Sequence, residues 1–261
     1  MSELEPRIPY LGNKAGILDE LYETIRNLDI DKPIGIYDAF TGGGSFAYYM
    51  AQKGFKVVAN DIESGVIDLH RHCKQFPEWV KQYKDIPITR DEFNIMKKDD
   101  TYIGAMIRSM WSFSNQGGTY LCAKSKEDKK IAEFLAGKAE PNQRYSHIED
   151  IILLHSRVNL DLEFIEGSYS DFDVPKGWLI YCDPPYAGKH GYKSGKFDHD
   201  TFYKWALEQD NVVLISEYSM PKEFYLVAEF SKWNEGGGAL NKKKGIERLY
   251  SNKPIKLNAL F

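Results

Sequence analysis

Apolar positions along the chain recur in two rhythms, and the places where one gives way to the other mark the elements. Ile17, Leu18, Leu21, Ile25 and Leu28 fall at helical spacing and predict a helix over about residues 15–28. Ile34-Gly35-Ile36-Tyr37 then reads as a short strand ending at Asp38, followed by a glycine-rich turn and an Ala/Tyr/Met-rich helix near 45–53. Phe55 to Ala59 predicts a second strand ending at Asn60-Asp61, with a further helix to about Cys73. This order implies parallel strands joined by right-handed crossovers. From about 75 to 145 the rhythm stops: charges are frequent, aromatics scatter, and no buried strand is evident. That stretch reads as an inserted, mainly helical segment. The alternation returns with Ile148, Ile151, Ile152, His155 and Val158 on one helix face and Leu162 to Ile165 as a strand. Trp178 to Cys182 and Val212 to Ser216 are continuously apolar, as strands covered on both faces must be. Tyr225 to Phe230 and Ile246 to Ser251 predict an antiparallel hairpin closing the sheet edge, its loop carrying Gly236-Gly237-Gly238. The expected fold is therefore α/β, a sheet with helices on both faces, formed by residues 1–74 and 146–261, with a small mainly helical insert over 75–145.

Composition narrows the class. A chain of 261 residues that is 43% hydrophobic can bury a full core. No run approaches the roughly 18 apolar residues of a membrane span, and the start, with Glu3 and Glu5, lacks a signal peptide's pattern, so a cytoplasmic protein without a membrane partner is expected. Three cysteines, an odd number without metal-type spacing, fit reduced thiols, and six histidines show no ligand spacing, so no metal is expected. The net charge of −4 means that any phosphate contacts must come from local clusters. Two such clusters exist, Lys189, Lys193 and Lys196, and Lys242-Lys243-Lys244 followed by Arg248.

The chemistry concentrates at strand ends. Asp183-Pro184-Pro185-Tyr186 follows an apolar run; two adjacent prolines end pairing and leave a stiff extended loop without backbone N–H groups. It presents a carboxylate, free carbonyls and an aromatic ring, a set suited to an amino group on a flat ring. Asp38 to Ala47 joins a strand to a helix, where open α/β sheets bind nucleotides. Gly42, Gly44 and Ala47 satisfy the dinucleotide fingerprint, and Asp61, about twenty residues on, is placed to hold ribose hydroxyls. An adenosine-type ligand follows, and from the fingerprint alone an NAD-dependent oxidoreductase stays open. Tyr10 and Lys14, four apart ahead of the first helix, are candidates to flank that ligand.

The order Tyr10 to Lys14, Asp38 to Phe46, Asp61, an inserted segment, Asp183 to Tyr186 and a terminal Glu247-Arg248-Leu249-Tyr250-Ser251-Asn252 resembles the Dam-type (D12 class) adenine-N6 DNA methyltransferases of bacteria and phages. The resemblance implies a Rossmann-like methyltransferase sheet and S-adenosyl-L-methionine as cofactor, held by Tyr10, Lys14, Asp38, Phe40, Gly42, Asp61 and Asp183. By the same similarity Asp171 accepts from the cofactor adenine amine and Phe172 packs on its ring. It further implies that 75–145 is a target-recognition domain, within which Ser109 to Tyr120 resembles a DNA-contacting segment and offers Asn115 and Tyr120. Double-stranded DNA is the implied partner, bound by a monomer or weak dimer, with a cognate restriction endonuclease as a further candidate. Asp183, the Pro184 carbonyl and Tyr186 are the expected catalytic groups, and Lys189, Lys193 and Lys196 the expected phosphate contacts. Cys73, Cys122 and Cys182 follow His, Leu and Tyr, which argues against the Pro-Cys nucleophile of carbon-5 cytosine methylation. Methylation of cytosine N4 or of RNA uses the same chemistry and stays an alternative.

Overall fold

A computed structural model describes residues 4–10, 12–79, 81–115, 117–186, 197–233 and 244–258. The strands are β1 (Ile36–Asp38), β2 (Val57–Asp61), β3 (Leu162–Glu166), β4 (Leu179–Cys182), β5 (Val212–Glu217), β6 (Tyr225–Trp233) and β7 (Lys244–Ser251). The helices are α1 (Leu18–Arg26), α2 (Ser45–Gln52), α3 (Ser64–Gln75), α4 (Lys81–Lys84), α5 (Arg90–Met96), α6 (Tyr102–Trp111), α7 (Glu127–Leu135), α8 (Glu140–Arg157) and α9 (His199–Glu208). The chain divides into a helical unit, Met1–Asn13, Gly42–Tyr48 and Glu63–Leu160, and a sheet unit, Lys14–Thr41, Tyr49–Ile62 and Asp161–Phe261.

In the sheet unit the seven strands form one mixed sheet, ordered β3-β2-β1-β4-β5-β7-β6. The first five in that order are parallel; β7 runs antiparallel to both β5 and β6. The predicted hairpin thus forms, with its second strand wedged between β5 and the edge strand. Strands β1 and β4 are buried throughout, matching the apolar run of β4 and the Ile36-Tyr37 pair that leads to Asp38 in β1, whereas edge strand β3 alternates. Side chains alternate between the two faces of a sheet. Tyr37, Val58, Ile180, Cys182, Val213 and Ile215 accordingly share one face, where Phe202 and Ala206 of α9 pack on them. Helix α9 was not predicted from sequence. Its signals are Asp198, whose carboxylate caps the Thr201 amide at 3.1 Å, and the four-residue spacing of Phe202 and Ala206. Asn252 locks this layer: its amide accepts from Val213 N–H (2.9 Å) and donates to the Ala206 carbonyl (3.0 Å), tying the end of α9 to the start of β5.

The helical unit holds α3 to α8. Trp111, Phe134, Phe93 and Tyr120 form its aromatic core, with Trp111 and Phe134 4.8 Å apart. The Arg144 guanidinium donates to the carbonyls of Met110 (2.6 Å) and Ser112 (3.0 Å), satisfying the buried C-terminal end of α6. Residues 75–145 lie within this unit and carry no strand among the described residues. Helix α8 runs through residue 145, beginning where Pro141 can occupy a first-turn position without losing a hydrogen bond.

Candidate functional site

Parallel pairing sets Asp38 opposite Ala59 and Tyr181, so the carboxyl ends of β1, β2 and β4 align and bring Asp38, Asp61 and Asp183 to one end of the sheet. Crevices outside the carboxyl ends of such strands are where open α/β sheets bind ligands. Asp38 is 1% exposed; the Thr41 hydroxyl and the Phe40 N–H favour its charged form, but neither reaches its oxygens in full hydrogen-bonding geometry. Burial pushes its carboxyl up to about 8; the Thr41 hydroxyl opposes that, and the charges of Asp183 and Asp61 add to it. An unpaired polar group held out of water is costly, and a ligand that brings donors relieves it.

Beyond β4 the chain enters Asp183-Pro184-Pro185-Tyr186, in which Asp183, Pro185 and Tyr186 are each held by a side chain from another part of the chain. Lys14, just ahead of the 3-10 turn Ala15–Ile17, sends its buried ammonium to Asp183 Oδ2 at 2.5 Å and to Glu247 Oε1 at 3.0 Å. The same ammonium donates to the Tyr186 hydroxyl at 3.0 Å, and that hydroxyl donates to Glu247 Oε1 at 3.0 Å. Burial would lower the Lys14 pKa, but Asp183 and Glu247 outweigh it and hold the amine charged. Burial, then the charges of Asp183 and Glu247, push the Tyr186 phenol well up. The Tyr186 ring meets the Tyr218 ring edge-on at 4.8 Å. Pro185, which has no N–H, has its carbonyl bound by His199 at 2.9 Å; a carbonyl only accepts, so Nε2 carries the hydrogen.

The other expected site residues are placed as follows. Phe40 is half-buried, stacked on Tyr169 at 5.4 Å. Asp61 ends β2, its carbonyl accepting from Gly167 N–H at 3.1 Å. Asp171 is exposed and turns Oδ2 back to the Ser168 amide at 2.8 Å, closing its own loop. Phe172 packs on Tyr37 at 5.0 Å, so its ring serves the sheet's core.

In the helical unit Gly42 adopts φ +47°, and a Cβ there would come within 2.9 Å of the Tyr10 ring, so glycine is required twice over. The Gly42 carbonyl accepts from His70 Nε2 at 2.9 Å, which leaves Nδ1 to accept from the Tyr48 hydroxyl at 3.1 Å. Burial lowers the His70 pKa to about 4, keeping the ring neutral in this role. Asn115 is half-buried at φ +57°, with Oδ1 meeting no donor. Tyr120 is 4% exposed and donates its hydroxyl to the Ile88 carbonyl at 2.7 Å, so this ring belongs to the core rather than to a surface facing DNA. Lys189, Lys193 and Lys196 lie outside the described residues. Arg248, grouped in sequence with the lysines before it, binds Glu229 at 2.6 Å and the Tyr218 carbonyl at 2.7 Å. Among the described residues there is no His/Cys/Asp/Glu group able to hold a metal, and no helix is long and apolar enough to cross a membrane.

Sequence reading missed the roles of Glu247, His199, Tyr218 and His70. Each acts across a fold contact on a loop that motif reading does find, so no local pattern announces it.

A family model described as D12 class N6 adenine-specific DNA methyltransferase matches residues 10–218. The chain is similar to the Type II methyltransferase M2.HphI of Haemophilus parahaemolyticus, 24% identical over 228 residues, spanning 70% of this chain and 66% of that protein's length. Among solved structures it is similar to the rRNA methyltransferase aviRa of Streptomyces viridochromogenes, with a TM-score of 0.40, 10% identity and coverage of 93% of this chain and 86% of that one. The putative methylase HI0767 of Haemophilus influenzae gives a TM-score of 0.36, 12% identity and coverage of 90% and 98%.

Proposed function

The chain belongs to the D12 class N6 adenine-specific DNA methyltransferase family, and from that premise we propose that it transfers a methyl group to the N6 amine of a flipped adenine at specific sites in double-stranded DNA. The observation that carries this reading is the fixed Asp183-Pro184-Pro185-Tyr186 frame at the carboxyl end of β4, its carboxylate held by a buried ammonium.

The family implies a methyl donor, and S-adenosyl-L-methionine is the donor proposed. Its sulfonium supplies the electrophilic methyl group. The residues fit it: the two unpaired oxygens of Asp38 call for a ligand with donors, and Asp61 ends the neighbouring strand, where ribose hydroxyls are held in such sheets. Phe40 and Lys14 complete the set in the sheet unit; Tyr10 and Gly42 are candidates on the motif. Asp171 and Phe172 are assigned the shaping of the loop after β3, since one closes that loop and the other enters the core.

The N6 lone pair of adenine is delocalised into its ring, so the amine is a poor nucleophile until its nitrogen pyramidalises. The Asp183 carboxylate and the Pro184 carbonyl, accepting one hydrogen each, would fix the amine in that geometry, and the carboxylate would stabilise the positive charge that develops on nitrogen. Flipping the base costs a few kcal/mol. Stacking on the Tyr186 ring, worth about 1–3 kcal/mol per base, offsets much of that. Residues 75–145 are proposed as the target-recognition segment, with Asn115 its candidate DNA contact. A cognate restriction endonuclease is a proposed partner in keeping with the similarity to a Type II methyltransferase. Incubating DNA with radiolabelled S-adenosyl-L-methionine, followed by nucleoside analysis, tests the whole reading. Label in N6-methyladenine is expected; label in N4-methylcytosine, or transfer only to RNA, would refute it.

A further inference from the structure

Glu247 lies 64 positions after Asp183 and on an antiparallel strand, yet the fold brings the two carboxylates to the same ammonium. Register explains how. Ser216 pairs with Leu249, and Leu249 and Glu247 are two apart on β7, so they share a sheet face. The Tyr181 hydroxyl meets Ser216 Oγ at 2.9 Å on that same face, and Tyr181 pairs with Asp38. Glu247 therefore projects to the Asp38 side of the sheet, beneath the Asp183 loop.

The three charged groups are unequally exposed: 3% for the Lys14 side chain, 5% for Glu247 and 19% for Asp183. Asp183 is thus the most exposed of the three, and Glu247 meets the ammonium where it is buried. Counting charges, Lys14 alone with Asp183 would make a neutral pair. A positive charge developing on a bound amine would then face a carboxylate whose field its own partner had cancelled. With Glu247 on the same ammonium, these three side chains together carry a formal charge of −1.

We propose that Glu247 is a positioning residue for methyl transfer: it holds Lys14, so that the ammonium orients Asp183 without cancelling its charge. The inference rests on the reading of Asp183 as the group that receives the amine. Lys14 supplies direction, Glu247 restores the negative charge, and the Tyr186 hydroxyl is a subsidiary contact of the same carboxylate.

Full-length protein carrying Glu247→Gln, Glu247→Asp, Tyr186→Phe or Asp183→Ala separates the possibilities. The measurements are the single-turnover rate, the affinities for S-adenosylhomocysteine and for DNA, and the thermal midpoint. Glu247→Gln is expected to slow transfer about tenfold or more, with both affinities within about threefold of the parent. Glu247→Asp, which keeps the charge, should recover part of the rate, and Tyr186→Phe, which loses only the hydroxyl contact, should be slowed less than Glu247→Gln. Parental rates in Glu247→Gln overturn the inference, as does an Asp variant as slow as the Gln variant. Equal losses in Tyr186→Phe and Glu247→Gln also overturn it, because the carboxylate would then act through the hydroxyl. Methyl transfer surviving in Asp183→Ala would instead refute the underlying assignment of Asp183, a separate failure.

Discussion

At the scale of single residues, Asp38 gives the sharpest test because it is a carboxyl buried with no donor in full hydrogen-bonding geometry. Its carboxyl rises from an ordinary 3.8 to about 8 in the folded chain, chiefly through burial, with Thr41 opposing and Asp183 and Asp61 contributing. Between those two values the folded state holds a proton that the unfolded state has released. Stability from this group is therefore present below the ordinary carboxylate value and is lost as pH rises toward 8. His70 acts in the opposite sense: its folded pKa near 4 means that stability falls as the solution is acidified below the ordinary histidine range. Asp38→Asn keeps the volume and removes the ionisation, so its gain over the parent should grow from acidic pH to a maximum above about pH 8. Thermal melts of both proteins over about pH 5 to 9 check this, and parallel curves would show that Asp38 keeps an ordinary pKa. The same substitution should weaken binding of the methyl donor most above about pH 8, where the parent carboxyl is ionised and offers two acceptor oxygens against the amide's one.

At the scale of elements, much of the sheet was legible because strands buried on both faces leave unbroken apolar runs. Leu179 to Cys182 and Val212 to Ile215 read directly, and their carboxyl ends carried Asp183 and its loop into view. The prolines themselves mark the loop, since no strand interior tolerates two of them. What stayed hidden was whatever acts across strands. Nothing in Glu247-Arg248-Leu249-Tyr250-Ser251-Asn252 shows that Glu247 meets Lys14 while Asn252 seals α9 to β5, because both depend on β7 pairing with β5. Tyr120 misled for a related reason. An aromatic in a polar segment resembles a surface contact until Trp111 and Phe93 are seen to enclose it. Asn252 gives this scale its test. Asn252→Ala strips the Val213 amide of its acceptor and leaves the Ala206 carbonyl without this donor, in a buried place. A loss of about 1–3 kcal/mol is expected on unmet buried groups. Urea unfolding measures it, and a change below about 0.5 kcal/mol would mean that water replaces the side chain. The rate at saturating substrates should change little, because Asn252 touches none of the groups proposed to handle the amine.

At the scale of the whole molecule, the question is how a chain of net charge −4 would hold a polyanion. Its acidic residues outnumber its basic ones, 38 to 34, so attraction cannot come from the average field and must come from a few concentrated positions. Arg248 is already engaged by Glu229 and by the carbonyl of Tyr218, whose ring meets Tyr186. Of the two lysine groups, Lys242-Lys243-Lys244 and Lys189, Lys193 and Lys196, the second has no acid among its members and begins three residues after Tyr186. The backbone of a base stacked on Tyr186 should pass close to that stretch of chain. Each phosphate neutralised contributes about −0.9 to the slope of log affinity against log salt. Replacing Lys189 and Lys193 together by alanine should therefore flatten that slope by about 2, with affinity falling most at low salt. Base preference should survive, because phosphate contacts set register and carry no sequence information directly. Titrating specific and unrelated duplexes from low to moderate salt decides the matter: an unchanged slope in the double variant places the phosphate contacts elsewhere, and a lost preference between duplexes would mean that these lysines read bases.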